Sequence, residues 1–300
     1  MARSSSLVKP ATQELLHLTV LRTERLSPHW MRITLGGGDI DRFRPLGFDQ
    51  WFRIFLPLGG DEGLERIPAK ANRIFGYLKY LRIPEGMRPV MRNYTVRAYR
   101  PAGWGGADTG AEIDVDFVLH GSGPTAGPAS RWADAATPGE SVVLIDEGLG
   151  FNPERGVERV ALVADETGAP AVAGVCASLP PTARGFAIVE APSADDILPI
   201  DAPEGVEVRW IVRDAGVKPG TLALAALREQ ELPAAPLHAF IVGEQSLPTA
   251  ARRYLVGERG LDRNAVSFVG YWRVGAASPA PKSQAAGVGT TEPSTEEASR

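Results

Sequence analysis

Short runs of β-branched and aromatic residues, several of them alternating with polar residues, fill most of the first half of the chain. Such runs are typical of strands, and they occupy residues 15–26, 29–36, 50–58, 77–84, 93–99, 112–120 and 141–146. Seven successive strands favour an antiparallel β-barrel, because closure removes the exposed edges that an open sheet presents.

One segment of the first half, residues 128–140, has a helical pattern. Pro128 suits the first turn of a helix, an alanine-rich apolar face follows, and Pro138-Gly139 ends the segment. We therefore predict one helix within an otherwise all-β first half.

From residue 158 onward, nearly continuous apolar strands alternate with helices. The sequence predicts strands at 158–165, 185–190, 206–212, 237–243 and 266–272, with helices at 168–180, 220–232 and 246–260. This alternation is typical of a parallel sheet covered on both faces. We therefore predict two domains, an antiparallel β-barrel over residues 14–154 and a doubly wound α/β domain over residues 155–275.

The last segment, residues 276–300, has one large aliphatic residue and no aromatic residue. It cannot bury enough apolar surface to offset the entropy lost on ordering. We expect a disordered tail.

Composition narrows the classes of function. The chain has 32 Lys and Arg against 36 Asp and Glu, a formal charge of −4, and so lacks the positive field of a non-specific nucleic-acid binder. No apolar run approaches the roughly 18 residues that span a bilayer, and the N-terminal residues lack the apolar region of a secretory signal. We expect a cytoplasmic monomer with no nucleic-acid partner and no membrane insertion.

Cysteine and histidine are scarce. One cysteine, Cys176, and four histidines cannot build a Cys-rich zinc site or a four-thiolate iron–sulfur cluster. We expect no protein-bound metal, so redox chemistry here would depend on a bound organic cofactor.

Residues 92–97 (RNYTVR) combine two arginines with an aromatic residue on one strand. Alternation places Arg92 and Tyr94 on one face and Arg97 on the other. A guanidinium suits phosphate oxygens and a phenol packs against a flat ring, so the pattern fits a dinucleotide cofactor. A surface strand with solvated charges is the alternative interpretation.

The start of the predicted helix, Gly127-Pro128-Ala129-Ser130, is a second candidate phosphate site, since free amides at a helix N-terminus attract anions. An ordinary Gly-Pro helix start is the alternative. His120 ends the preceding strand, where it could contact a cofactor or a loop carbonyl. The histidines at positions 17, 29 and 238 have no ligand spacing and are interpreted as structural.

Four segments follow one another along the chain: RNYTVR, then FVLHG followed by GPASRWA, then Asp-Glu-Thr at the first α/β strand end, and Gly270-Tyr271-Trp272-Arg273. In this order they resemble the siderophore-interacting protein family, a branch of the ferredoxin-NADP reductase superfamily. The resemblance spans roughly residues 14–275. It implies a flavin-binding barrel followed by a nicotinamide-binding domain, in a cytoplasmic FAD enzyme that passes electrons from NADH or NADPH to siderophore-bound ferric iron.

The resemblance also implies roles for individual residues. The FAD site would comprise Arg92, Asn93, Tyr94, Thr95, Val96, Arg97, His120, Gly121, Pro128, Ala129 and Ser130. The nicotinamide nucleotide would meet Asp165, Glu166, Thr167, Gly243 and Glu244, and Trp272 would lie near the flavin. The ferric siderophore would meet Arg53, Arg131 and Arg273.

Departures from the family pattern concern the substrate. An acidic pair, Asp146-Glu147, stands where positive charge is common, so we expect like-charge repulsion to favour neutral hydroxamate chelates over anionic catecholates. Glu190 would repel the 2′-phosphate of NADPH, whereas Arg184 or Arg213 would bind it, which leaves the nucleotide open. Residues 66–87 are a candidate lid.

The sequence therefore predicts an FAD-dependent ferric-siderophore reductase. Two alternatives stay open: a flavin reductase with another acceptor, and a siderophore-binding protein without turnover.

Overall fold

Residues 7–57, 60–69, 74–121 and 126–275 are described by the structure, a computed structural model of the chain. The predicted tail, residues 276–300, lies outside this part. Within the described residues, no helix is long and apolar enough to cross a bilayer.

An antiparallel sheet of seven strands forms the first half of the described chain. The strands are β1 (Leu15–Ser27), β2 (Trp30–Gly36), β3 (Trp51–Leu56), β4 (Val90–Thr95), β5 (Ala98–Arg100), β6 (Glu112–Val118) and β7 (Ser141–Gly148). Their order is β4-β3-β7-β1-β2-β6-β5. Because two residues join the outermost strands, β4 and β5, the sheet curls back on itself as a barrel around a core that includes Ile33, Phe52 and Phe117.

The predicted strand at 93–99 is two strands with a corner at Val96-Arg97. The amide of Val96 donates to the Gln50 carbonyl at 2.8 Å, and the amide of Arg97 donates to the Asp114 carbonyl at 2.8 Å. The backbone thus leaves the β3 side and joins β6, which closes the barrel.

The predicted strand at 77–84 is wrong, since helix α1 (Ile74–Leu81) covers most of it. Tyr77, Tyr80 and Ile83 recur every third residue, and they pack with Phe55 and Val143 on the outside of the barrel. That spacing marks one face of a helix rather than a strand. The Tyr80 hydroxyl donates to the Pro89 carbonyl at 2.7 Å.

The predicted helix at 128–140 is confirmed in its first part as α2 (Pro128–Ala135), with proline in the first turn. Ala129 and Ala133 face the barrel core, and Trp132 packs against it. The helix ends at Ala136, before the Thr137-Pro138-Gly139 turn.

A parallel sheet of five strands forms the second half, as predicted. Its elements are β8 (Arg159–Ala164), α3 (Ala169–Ser178), β9 (Arg184–Ala191), β10 (Val206–Val212), α4 (Thr221–Glu229), β11 (His238–Glu244), α5 (Ser246–Arg253) and β12 (Val266–Trp272). The strand order is β10-β9-β8-β11-β12. The chain order therefore reverses between β8 and β11, where ligands of doubly wound sheets bind.

Each face of the parallel sheet has its own core. Helix α3 covers one face, where Trp30 and Val118 of the barrel also pack. Helices α4 and α5 cover the other. The barrel is thus attached to the α3 side of the sheet, while the predicted division at residues 154 and 155 stays a prediction.

Asp196 joins the two sheets through polar contacts. It lies in a short 3-10 turn (Ala194–Asp196) after β9 and is fully buried. Its carboxylate accepts from Ser27 Oγ at 2.5 Å and from Ser193 Oγ at 2.7 Å, and lies 2.7 Å from His29 Nδ1. Burial opposes ionisation, but these hydrogen bonds hold the pKa of Asp196 below its usual value.

Candidate functional site

Strand β4 carries the first candidate binding residues. Arg92 pairs with Ile54 and Tyr94 with Phe52, two core residues of β3. Tyr94 packs on Phe117 with ring centroids 4.0 Å apart, and burial raises the pKa of its hydroxyl. The Arg92 guanidinium donates to the Met91 carbonyl at 2.8 Å and forms no ion pair with any described residue. It is therefore a cation available to an anionic ligand.

Helix α2 presents the second candidate binding group. No side chain caps its N-terminus, and a Cβ added at Gly127 would meet no atom within 4 Å, so the first turn is approachable. Trp132 of this helix packs on Phe117, the ring that also contacts Tyr94 of β4. Ser130 Oγ donates to the Val118 carbonyl at 3.2 Å and accepts from the His120 amide at 3.3 Å.

The donors on β4 and α2 fit a diphosphate cofactor. A free guanidinium and uncapped helix amides are both hydrogen-bond donors, and a diphosphate is an acceptor with negative charge. The first predicted cofactor set is thus brought together in part by the packing of α2 against the β4 side of the barrel.

Other residues of the RNYTVR segment point elsewhere. Asn93 is exposed, and Val96 is buried in the barrel core. Thr95 is buried and forms a side-chain hydrogen bond with Tyr271 of β12. Arg97 lies 3.7 Å from Asp116, and burial lowers its pKa.

Asp165, at the carboxyl end of β8, is fully buried. Its Oδ1 accepts from the Thr167 amide at 2.9 Å and the Thr167 hydroxyl at 2.5 Å. Its Oδ2 accepts from the Glu244 amide at 2.6 Å and from Trp272 Nε1 at 3.2 Å. Burial and then the Glu166 carboxylate raise the pKa of Asp165 to about 7, against the effect of these donors.

Two more strand-end carboxylates are also used internally. Glu166 forms a two-point ion pair with Arg213 at 2.5 and 2.6 Å. Glu244 accepts from the Ser246 amide at 2.8 Å and lies 3.2 Å from Lys218 Nζ. Both carboxylates are buried, so neither is a free group at the strand ends.

The expectation that Glu190 repels a 2′-phosphate is wrong. Glu190 is fully buried and accepts from the amides of Gly220, Leu222 and Ala223, each at 2.9 Å. It thus occupies the N-terminus of α4 instead of facing a ligand. Arg213 is held by Glu166 and Glu190, so it is not a free cation for a phosphate either.

The ends of the parallel strands meet the barrel at Trp272. Its ring lies against His120, with centroids 5.4 Å apart and planes 32° apart. His120 is exposed to solvent; partial desolvation by the surrounding protein lowers its pKa, and the Glu166 carboxylate opposes this effect. Gly121 follows with a φ of 72°, a conformation that favours glycine. Predicted residues of both halves therefore meet here.

The predicted substrate cation Arg53 is not exposed. Its Nε lies 2.8 Å from Glu147 Oε1, and both side chains are buried. Lys9 Nζ also lies 2.9 Å from Glu147. Glu147 is therefore compensated by two cations, and the repulsion of anionic chelates expected from the acidic pair loses its basis at this residue. Arg131 and Arg273 are exposed, and Arg131 donates to the Ala126 carbonyl.

The candidate lid is anchored on the barrel where it is described. Ile67, Tyr80 and Ile83 of this segment share one buried cluster with residues of β3 and β7. Residues 70–73 lie outside the described part. Any lid movement of the described segment would have to break this cluster.

Three contacts around the site were not predicted from the sequence. Tyr271 crosses to Thr95 of the barrel, Arg213 holds Glu166, and Asp49 accepts from the amides of Gly150 and Phe151. For the contact of Tyr271 with Thr95, the Gly-Tyr-Trp-Arg segment is a local signal in the sequence. The other two pair residues far apart in the chain and have no local signal.

Comparison with known proteins agrees with this architecture. Residues 19–149 match the siderophore-interacting FAD-binding domain, and residues 157–275 match the siderophore-interacting protein model. The chain belongs to the siderophore-interacting protein family. The family resemblance inferred from the sequence is thereby confirmed.

Three members or relatives are similar over most of their length. Ferric vibriobactin reductase of Vibrio cholerae is 28% identical over 86% of this chain and 89% of its own. The NADPH-dependent ferric-chelate reductase of Escherichia coli is 27% identical over 85% and 91%. The crystal structure of a siderophore utilization protein from T. fusca has a TM-score of 0.72 and 28% identity, covering 92% of this chain and 99% of that one.

Proposed function

We propose that this siderophore-interacting protein is an FAD-dependent ferric-siderophore reductase of the cytoplasm, with NADH or NADPH as electron donor. The observation that carries the proposal is the Arg92 guanidinium on β4, which has no ion pair among the described residues, together with the uncapped N-terminus of α2. In a chain with a siderophore-interacting FAD-binding domain, these donors are suited to the FAD diphosphate.

Bound FAD would supply one-electron transfer, which ferric iron requires and which a nicotinamide hydride donor does not provide. The protein's own part is to hold its ligands at transfer distance. Arg92 and the first amides of α2 would bind phosphate, and Tyr94 would pack against the flavin ring. Ser130 Oγ accepts a hydrogen bond from the His120 amide and so holds His120 close to the start of α2.

The nicotinamide nucleotide is proposed to bind where β8, β11 and β12 end. The strand order reverses between β8 and β11, which is the usual ligand site of such sheets. The 2′-phosphate has no free cation in Arg213 and no repelling group in Glu190, because both are already paired. These residues therefore do not discriminate between NADH and NADPH. The similarity to the NADPH-dependent ferric-chelate reductase of E. coli supports NADPH as a donor.

The ferric siderophore is the proposed acceptor. Arg131 and Arg273 are the exposed predicted cations, whereas the Arg53 charge is compensated by Glu147. We therefore expect no strong selection against anionic chelates.

Anaerobic stopped-flow absorbance of the flavin tests the function. The purified, FAD-loaded protein is reduced with NADH or NADPH and mixed with a ferric hydroxamate or a ferric catecholate, with a ferrous chelator as trap. We expect reoxidation faster than in buffer, together with ferrous iron. Reduction by nucleotide without reoxidation by either chelate would identify a flavin reductase with another acceptor. Chelate binding without flavin would identify a binding protein.

A further inference from the structure

The hydrogen bonds of Asp165 exhaust its capacity as an acceptor. An ionised carboxylate offers about four lone-pair sites, and Thr167, Glu244 and Trp272 supply four donors to this one. The side chain is also fully buried. No site remains for a ribose hydroxyl or an amide of a nucleotide, so Asp165 acts on something within the protein.

We propose that Asp165 is a positioning residue that holds the Trp272 indole against His120 and so fixes the surface that the α/β domain turns toward the flavin. The inference rests on the proposed function, because it assigns a role within the same site. It reassigns Asp165 from nucleotide binding to alignment of the two halves.

Gly243 supports this role independently. Its φ is 133°, and an added Cβ would lie 2.6 Å from Asp165 Cγ. Only glycine therefore leaves room for the Asp165 carboxylate at the end of β11. The presence of glycine at this strand end is explained by Asp165 without a nucleotide phosphate.

Trp272 is held at two points, which makes its orientation definite. Its carbonyl accepts from the Gln245 amide at 2.9 Å, and its indole donates to Asp165. Its ring lies against His120, whose amide donates to Ser130 Oγ. A continuous set of contacts thus runs from the end of β8 to the start of α2, where the FAD phosphates are proposed to bind.

Removal of either partner makes the proposal testable. Asp165→Ala takes away both carboxylate oxygens, so Thr167, Glu244 and Trp272 all lose their acceptor. Trp272→Phe removes the indole N–H but keeps an aromatic ring. Both variants break the same contact from opposite sides.

Fluorine NMR of the FAD-loaded protein labelled with 5-fluorotryptophan reports on the contact between Trp272 and Asp165 in the absence of turnover. The chain has six tryptophans, and the Trp272 resonance is assigned by its loss in Trp272→Phe. We expect Asp165→Ala and His120→Ala each to shift that resonance. Asp114→Ala, the same change at a buried carboxylate of the barrel, should leave it in place. An unmoved Trp272 resonance in folded Asp165→Ala would overturn the proposal.

Hydrogen exchange of the Trp272 indole N–H tests the same contact in the parent protein, in case the Asp165 variant does not fold. The Trp272 Nε1–H is expected to exchange with solvent at least tenfold more slowly than that of Trp104, whose side chain is half exposed. Equal exchange rates would show that Asp165 does not hold the indole.

Kinetics separate positioning from direct nucleotide contact. We expect Asp165→Ala and Trp272→Phe each to lower the limiting rate of flavin reduction by NADPH about tenfold, with the nucleotide Kd changed less than twofold. The double variant should fall no further than either single variant. A raised Kd, or a hundredfold loss in the double variant, would contradict the proposal. If nucleotide does not reduce the parent protein, the proposed function fails, while the NMR result still decides the role of Asp165.

Discussion

At the scale of single residues, a charged side chain is available to a ligand only where no neighbour compensates it. Arg92 and Arg53 lie on paired strands, β4 and β3, yet Arg92 has no ion pair among the described residues and Arg53 is paired with Glu147. Their different surroundings, rather than their shared residue type, separate a candidate ligand contact from a structural ion pair.

Arg92→Ala should weaken FAD binding roughly ten- to a hundredfold, since a charge-assisted contact to phosphate contributes about 1.5–3 kcal/mol. Flavin retention on dilution measures the loss. Arg82→Ala, at an exposed arginine of the preceding segment, is the matched control and should retain flavin. Full flavin occupancy in Arg92→Ala would remove the assignment.

His238 should make stability depend on pH. It is buried beside Ser267, with Nε2 and Oγ 3.0 Å apart, and burial lowers its pKa from 6.5 to about 4. The unfolded chain therefore binds the proton more tightly, so stability is complete above pH 6.5 and falls as pH drops toward 4. The expected loss is roughly 3 kcal/mol.

Urea unfolding of the parent and of His238→Gln between pH 4 and 7 measures this contribution. Glutamine does not titrate, so the variant should lose this part of the pH dependence while the contributions of other groups remain. Parallel stability curves for the two proteins would contradict the assignment.

At the scale of elements, strand β6 carries alternating carboxylates on its outer face and apolar residues toward the core. These carboxylates, Glu112, Asp114 and Asp116, are buried. Each forms ion pairs with arginines of neighbouring strands: Glu112 with Arg22 and Arg100, Asp114 with Arg100, and Asp116 with Arg32. Burial opposes ionisation of Asp114, but hydrogen bonds from Arg100 and Thr34 hold its pKa below the usual value.

Asp114→Asn should lower the free energy of unfolding by about 2–3 kcal/mol, less than a fully buried pair because Arg100 keeps some solvent contact. Chemical denaturation near neutral pH measures it. Asp134→Asn, in an exposed pair with Arg25, should change stability by less than about 1 kcal/mol. Equal effects of the two variants would show that burial of the pair is immaterial.

At the scale of the whole molecule, the barrel and the parallel sheet share one apolar core and one buried carboxylate. Trp30 packs with Phe151 and residues of α3. The Asp196 carboxylate forms hydrogen bonds with the side chains of Ser27 and His29 of the barrel. These contacts hold the α2 side of the barrel and the strand ends of the sheet in one arrangement, which electron transfer between their ligands needs.

Asp196→Asn should loosen that arrangement, because the amide leaves at least one buried donor unpaired at a cost of about 1–3 kcal/mol. Calorimetry should show a lower Tm and a broader transition. Asp195→Asn, at the exposed neighbouring carboxylate, should leave the transition unchanged. A sharp transition at the parent Tm in Asp196→Asn would show that the contact does not stabilise the junction.

The local sequence pattern was sufficient to predict the class of fold and the family. Period-two alternation in strands such as β6, and apolar strands separated by helices after residue 158, reflect burial of one or both sheet faces, which each segment expresses by itself. The RNYTVR segment and the Pro128 helix start likewise carry their chemistry in adjacent residues.

Tertiary structure alone decided which polar groups are free. Arg53 meets Glu147, Asp165 meets Trp272 and Glu190 meets the start of α4 across 94, 107 and about 30 residues of chain. Such pairings depend on how strands are ordered in the sheets, and no local pattern encodes that order. The same holds for 77–84: its tyrosines favour a strand by residue type and a helix by their three-residue spacing, and the outer surface of the barrel, against which the helix packs, decides between them.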